Sequence, residues 1–148
     1  MTLNTETMFS SKTGEWSTPQ DFYDELNWEF SFLMDPCATH ENHKCVEYYT
    51  EEEDGLAYEN EWYGTTFMNP PYGRDIKHWV RKAYEQSKHN IIVGLLPART
   101  DTRWFHDYIY GKAEIRFIKG RLKFGGHKNP APFPSMVVIW RPDEEEPG

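Results

Sequence analysis

The run Ile91-Ile92-Val93-Gly94-Leu95-Leu96 is apolar throughout and has the length of a single strand. A strand with one wet face carries polar residues at every second position, so a run without them needs cover on both faces. That is the environment of a parallel strand in an α/β sheet, where crossover helices supply the cover. The preceding sequence supplies such a helix. Ile76, Trp79, Val80, Ala83 and Tyr84 recur at helical spacing and predict an amphipathic helix over residues 75–88. Ahead of it, Gly64-Thr65-Thr66-Phe67-Met68 reads as a short strand. This strand–helix–strand order predicts a three-layer α/β domain.

Other elements follow the same logic. Ser17-Thr18 before Pro19 reads as a cap with proline at the first helical position, opening a helix to about Leu26. Residues Phe30 to Asp35 read as a buried strand ending in an acid, and Thr102 to Ile109 as a short helix. Glu114–Ile118, Arg121–Phe124 and Met136–Trp140 read as strands, which predicts antiparallel pairing at the C-terminal side of a mixed sheet. With 148 residues, 38% of them hydrophobic, the chain can bury one core, assigned to residues 16–141. Residues 1–15 read as a loose arm and 142–148 as an acidic tail. No run of about 18 apolar residues exists and the N-terminus lacks an apolar signal core, so the expectation is a soluble cytoplasmic protein.

Between the second strand signal and its helix stands Asn69-Pro70-Pro71-Tyr72. An amino group on an aromatic ring, or an amide nitrogen, is a poor nucleophile because its lone pair is delocalised. Acceptors that take its two N–H groups draw the nitrogen towards tetrahedral geometry and free the lone pair for an electrophile. The Asn69 side-chain oxygen and the Pro70 carbonyl are acceptors of that kind. Pro71 stiffens the turn, and Tyr72 offers a ring on which a flipped-out base can stack. The loop is also delivered to the carboxyl end of a strand, where open α/β sheets bind ligands. These residues point to methyl transfer onto a planar amine.

The turn Asp35-Pro36-Cys37-Ala38 offers backbone N–H groups and a carboxylate to a polar, cationic cofactor. S-adenosylmethionine, with its sulfonium, ammonium and ribose hydroxyls, is such a molecule. Cys37, His40, His43 and Cys45 are zinc-ligand types, but their spacing is much tighter than the separated pairs of structural zinc sites, and no metal is expected.

Net charge is −8, which at first sight disfavours a nucleic-acid partner. Its distribution reverses that inference. Residues 1–73 hold 2 basic and 15 acidic side chains, whereas residues 74–128 hold 13 basic and 5 acidic. One half can therefore face phosphates, with Arg99, Arg103, Arg121 and Lys123 as the leading contacts.

In combination and order, these pieces resemble the bacteriophage DNA N6-adenine methyltransferases, the small Dam-like enzymes. The resemblance runs over about residues 16–140, from Trp16-Ser17-Thr18-Pro19 through Asp35-Pro36-Cys37-Ala38, Tyr49-Thr50 with Asp54-Gly55-Leu56, and Asn69-Pro70-Pro71-Tyr72. It continues through Leu96 to Thr102 with Trp104-Phe105, Gly120-Arg121-Leu122 with Phe124, and Pro134-Ser135. It implies a Rossmann-like methyltransferase fold, S-adenosylmethionine as methyl donor and double-stranded DNA as partner. By the same resemblance Thr18 and Pro19 belong to an N-terminal cofactor motif, Asp35 and Pro36 to the first cofactor motif, and Asp54 contacts ribose or adenine. Asn69 to Tyr72 would be the catalytic loop. Where a Gly-x-Gly would follow the first strand, this chain has Pro36-Cys37-Ala38-Thr39. Methylation of RNA or of a protein glutamine amide, and a non-catalytic nucleic-acid-binding module on the same scaffold, stay open as alternatives.

Overall fold

The structure is a computed structural model and describes residues 16–143. The expected arm at 1–15 and residues 144–148 of the expected tail lie outside the described residues. Six strands form one sheet: β1 Met34–Ala38, β2 Glu47–Thr50, β3 Thr66–Met68, β4 Ile92–Pro97, β5 Glu114–Phe117 and β6 Ser135–Trp140. Their spatial order is β2-β1-β3-β4-β6-β5. β1 to β4 pair parallel with one another, while β6 pairs antiparallel with both β4 and β5. The antiparallel pairing expected near the C-terminus is therefore made by β6, and β5 runs with the parallel set.

Among the described residues three helices cover the sheet: α1 Gln20–Phe30, α2 Ile76–Gln86 and α3 Arg103–Tyr108. Strand alternation shows which face each covers. Phe67 of β3 meets Tyr23 of α1 edge to face, with ring centroids 5.2 Å apart. The next residue, Met68, shares the opposite face with Trp140, since both side chains approach Gly94 of β4. There Trp140 Nε1 donates to the Tyr108 carbonyl of α3, and Tyr108 packs against Tyr84 of α2. The result is a three-layer, Rossmann-like α/β fold. Every residue of β4 is buried, as the uninterrupted apolar run requires. The helical periodicity of α2 likewise becomes a buried stripe of Ile76, Trp79, Val80 and Ala83.

Three expectations need correction. α1 continues four residues past Leu26 and ends at Ser31, whose left-handed backbone (φ 56°) returns its N–H to the Asn27 carbonyl. The strand expected over 30–35 therefore starts only at Met34, and Asp35 is its second residue. The Ser17-Thr18 cap is not made either: Pro19 occupies the cap position without a side-chain cap, and the two hydroxyls bond elsewhere. Finally, 121–124 is no strand. The returning segment carries Pro130, Pro132 and Pro134, which lack the N–H groups a ladder needs. What remains is one bridge between Ser17 and Gly125 and a bond from Ala131 N–H to the Leu122 carbonyl. Among the described residues no helix is long and apolar enough to cross a membrane.

Candidate active site

From β1 the chain steps outward to β2 and then back past β1 to β3. The connections diverge at the carboxyl ends of β1 and β3, the place where an open α/β sheet leaves a crevice. A cavity of about 440 Å³ occupies it. The loop after β3 contributes Asn69, Pro70 and Pro71, and β1 contributes Asp35 to Ala38. The turn after β2 adds Thr50, Glu51, Asp54, Gly55 and Leu56, and the segment before α1 adds Trp16 to Thr18. Of the sequence-predicted residues, the cavity thus gathers Thr18, Asp35, Pro36, Asp54, Asn69, Pro70 and Pro71. Pro19 and Tyr72 are not in its wall, nor are Arg99, Arg103, Arg121 and Lys123.

Asn69 has a distinctive hydrogen-bond state. Its Nδ2 donates to the Trp16 carbonyl and, at 2.9 Å, to Thr18 Oγ1, so both amide protons are used. Its Oδ1 is buried and has no partner among the described residues. An unpartnered buried carbonyl is uncommon in folded proteins and marks a place where an incoming N–H would be favoured.

Asp35 is 5% exposed. One carboxylate oxygen accepts Cys37 N–H at 3.2 Å and the other Lys44 N–H at 3.0 Å. Burial pushes its pKa above the ordinary carboxylate value, while the two N–H groups and the Lys44 charge pull the other way. The expected acidic turn after a strand is instead a bulged continuation of β1, whose register against β2 shifts between Asp35 and Ala38. Gly55 lies directly against this bulge: a Cβ there would sit 2.3 Å from the Pro36 carbonyl oxygen. With no glycine after Asp35 in this chain, the close approach of the two loops is made by Gly55.

Asp54 is exposed and left-handed (φ 63°), with Oδ1 accepting Leu56 N–H. Tyr72, expected as a stacking platform, is packed into the core in this structure. Its ring is buried, meets Phe124 and Phe133 edge to face, and its hydroxyl donates to the Leu95 carbonyl at 2.9 Å. In this structure it is a packing residue, because the aromatic loop after β5 closes over it.

His40 Nδ1 pairs with the Tyr48 hydroxyl, His43 stacks on Tyr48, and the Cys45 thiol faces the Tyr23 hydroxyl. Burial pushes the Cys45 thiol up to about 11 and raises Cys37 well above its ordinary value. The four basic candidates are all exposed and, among the described residues, unpaired with any acid. Arg116 and Arg141 differ, being tied to Glu29 and Glu114. Sequence reasoning missed the apolar and polar walls of the cavity, above all Phe67, Trp79, Thr39 and Asp75. Only Gly55 and Trp16 had a signal, as neighbours of residues already singled out.

A family model described as DNA N-6-adenine-methyltransferase (Dam) matches residues 5–148. A DNA N-6-adenine-methyltransferase of Escherichia phage T1 is 36% identical over 113 residues, 72% of this chain and 45% of that protein. This chain thus spans less than half the length of that relative. A protein of the same name from Haemophilus phage HP1 is 29% identical over 137 residues, 86% of this chain and 78% of its own. The solved structure of Thermoplasma acidophilum 1320 aligns with a TM-score of 0.42 and 16% identity, over 69% of this chain and 58% of its own.

Proposed function

This chain belongs to the DNA N-6-adenine-methyltransferase (Dam) family, and we propose that it methylates the exocyclic amine of an adenine flipped out of double-stranded DNA, with S-adenosylmethionine as donor. The single observation that carries the reading is the buried, unpartnered Oδ1 of Asn69. With both amide protons held by Trp16 and Thr18, the side chain can act only as an acceptor towards a ligand. An adenine amine has two N–H groups to give, and one of them satisfies this oxygen. The Pro70 carbonyl is the proposed second acceptor.

The residues around the cavity fit the donor. Asp35, Glu51, Asp54 and Asp75 outnumber the one lysine in its wall, Lys44, and the acidic balance suits a sulfonium and an ammonium, while Leu56, Phe67 and Trp79 provide apolar surface for a planar ring. Asp35, Pro36 and Asp54 are the proposed holders of the polar groups, with Gly55 leaving space beside them. S-adenosylmethionine, when bound, supplies the electrophilic methyl group. The chain's own work is to hold the adenine amine at attack distance and to localise its lone pair through Asn69 and Pro70. Arg99, Arg103, Arg121 and Lys123 are proposed to take the phosphates, and the bacterial cytoplasm is the proposed place of action.

The test is expression in a host without adenine methylation, followed by mapping of N6-methyladenine in its DNA. Methylated adenines that vanish in Asn69→Ala support the reading. Unmethylated DNA together with methylated RNA or protein would replace it with one of the other amine substrates.

A further inference from the structure

An asparagine amide has two orientations of nearly equal shape that exchange its oxygen and nitrogen. Only one of them serves a reaction in which the substrate is the hydrogen-bond donor. With the amide reversed, an NH2 group would meet the NH2 group of the base, and the Asn69 oxygen would face the Trp16 carbonyl. Two acceptors would then be in contact, so the Trp16 carbonyl sets the direction of the amide. The Thr18 hydroxyl completes the arrangement by accepting the second proton, and it is free to do so because α1 does not use it as a cap.

The segment that presents these two acceptors is itself held from the other side. Gly125 N–H donates to the Ser17 carbonyl at 2.9 Å. The Trp16 ring stacks on His127 with centroids 4.2 Å apart and meets Phe124 and Phe133 edge to face. Asn42 Nδ2 donates to Ser17 Oγ, fixing the middle residue to the loop after β1. Residues Trp16 to Thr18 are therefore clamped between the loop after β5 and Asn69.

We propose that Thr18, together with the Trp16 carbonyl, positions the Asn69 amide for catalysis, and that the loop carrying Phe124, His127 and Phe133 holds that device in place. The inference rests on the role given to Asn69 above. It moves Thr18 from a cofactor contact, as the resemblance implies, to a residue that acts through Asn69. It also joins amide orientation to DNA engagement, since Arg121 and Lys123 lie on the clamping loop.

The experiment compares Thr18→Val, Thr18→Ser, Trp16→Ala and Asn69→Ala. Valine keeps the shape and removes the acceptor, which leaves one amide proton without a partner. Turnover of Thr18→Val should fall about tenfold, the loss expected for one buried hydrogen bond, with cofactor affinity and KM for DNA within about twofold of wild type. Serine should recover most of the lost turnover, and Trp16→Ala should lower kcat by a similar factor. A second readout needs neither cofactor nor DNA. The side-chain NH2 signal of Asn69, identified by its absence in Asn69→Ala, should exchange with solvent faster in Thr18→Val and in Trp16→Ala. Wild-type kcat in both variants, or unaltered exchange, would overturn the inference. So would a Thr18→Val defect confined to the cofactor dissociation constant. If Thr18→Val does not fold, the same two readouts on Trp16→Ala decide. Full activity in Asn69→Ala would instead overturn the proposed function itself, so the two failures are distinct.

Discussion

At Asn69 the fold tolerates a buried carbonyl without a partner, and such a group costs on the order of 1–3 kcal/mol. Asn69→Ala removes that cost together with the acceptor. We expect its turnover to drop by about 100- to 1,000-fold while cofactor affinity, measured by calorimetry, stays near wild type. Undiminished turnover would end the assignment. Tyr72 has the opposite character, a ring packed on all sides whose hydroxyl serves the Leu95 carbonyl. Tyr72→Phe should therefore lower stability by about 0.5–1.5 kcal/mol in urea unfolding, and Tyr72→Ala by about 3–5 kcal/mol. Equal midpoints for the two variants would mean that the ring is not part of the core. Asp35 carries a pH signature. Its folded-state pKa is raised, so what it contributes to stability is fully present below the unfolded value of about 3.9 and is lost as pH rises through the folded pKa. The ionised form is the one proposed to hold the cofactor. Affinity should consequently weaken on acidification from a pH above the usual carboxylate range, and Asp35→Ala should be weak at every pH.

The elements differ in how far the sequence disclosed them. α2 and β4 were legible because their patterns have one physical explanation: a stripe of Ile76, Trp79, Val80 and Ala83 needs a helix, and an unbroken apolar run needs two-sided cover. The start of β1 was not legible, because it depends on Ser31 adopting a left-handed backbone that ordinary residues seldom take. Asp35-Pro36 reads locally as a turn, and only its partners Lys44 and Tyr48, brought in by β2, make it a bulged strand. The strand β2 itself, Glu47-Tyr48-Tyr49-Thr50, is short and half-polar, and its strand-favouring Tyr48, Tyr49 and Thr50 do not tell which strand they join. At the site, Asn69 and Asp35 were visible from their chemistry, whereas the burial of Tyr72 came from rings about 50 to 60 residues away in sequence. Gly55 illustrates the same limit. Its need for a bare Cα arises from the Pro36 carbonyl and the Trp79 ring, which approach from two other elements. Gly55→Ala should cost about 1–3 kcal/mol in urea unfolding and narrow the cavity. A variant as stable as wild type would show that the β1 bulge and the turn after β2 can separate without loss.

Across the whole molecule, the sheet order turns a charge asymmetry of the sequence into one of space. β3 stands between β1 and β4, so the Asn69 loop lies where the acidic half, running to residue 73, meets the basic half that follows. The acidic side supplies Asp35, Glu51 and Asp54 to the cavity. On the basic side Arg99 and Arg103 follow the carboxyl end of β4, and Arg121 and Lys123 sit on the loop that clamps Trp16. Under the proposed function, a cationic donor and a polyanionic duplex would be drawn to opposite flanks of the Asn69 loop, separating two ligands that the same electrostatic surface could not hold. Arg116 and Arg141 are excluded from this role by their acid partners Glu29 and Glu114. The prediction is quantitative in salt. Each phosphate contact releases condensed counterions, so neutralising one should lower the slope of log affinity against log salt by about one unit, equally on specific and unrelated duplexes. A base-reading arginine would instead relax specificity at one position, at about 1–3 kcal/mol. Alanine variants of Arg99, Arg103, Arg121 and Lys123, each titrated on both kinds of duplex, distinguish the two behaviours. Arg116→Ala serves as the control whose slope should not move. Four slopes identical to wild type would leave the basic half a solvated face and would place the phosphates elsewhere on the molecule.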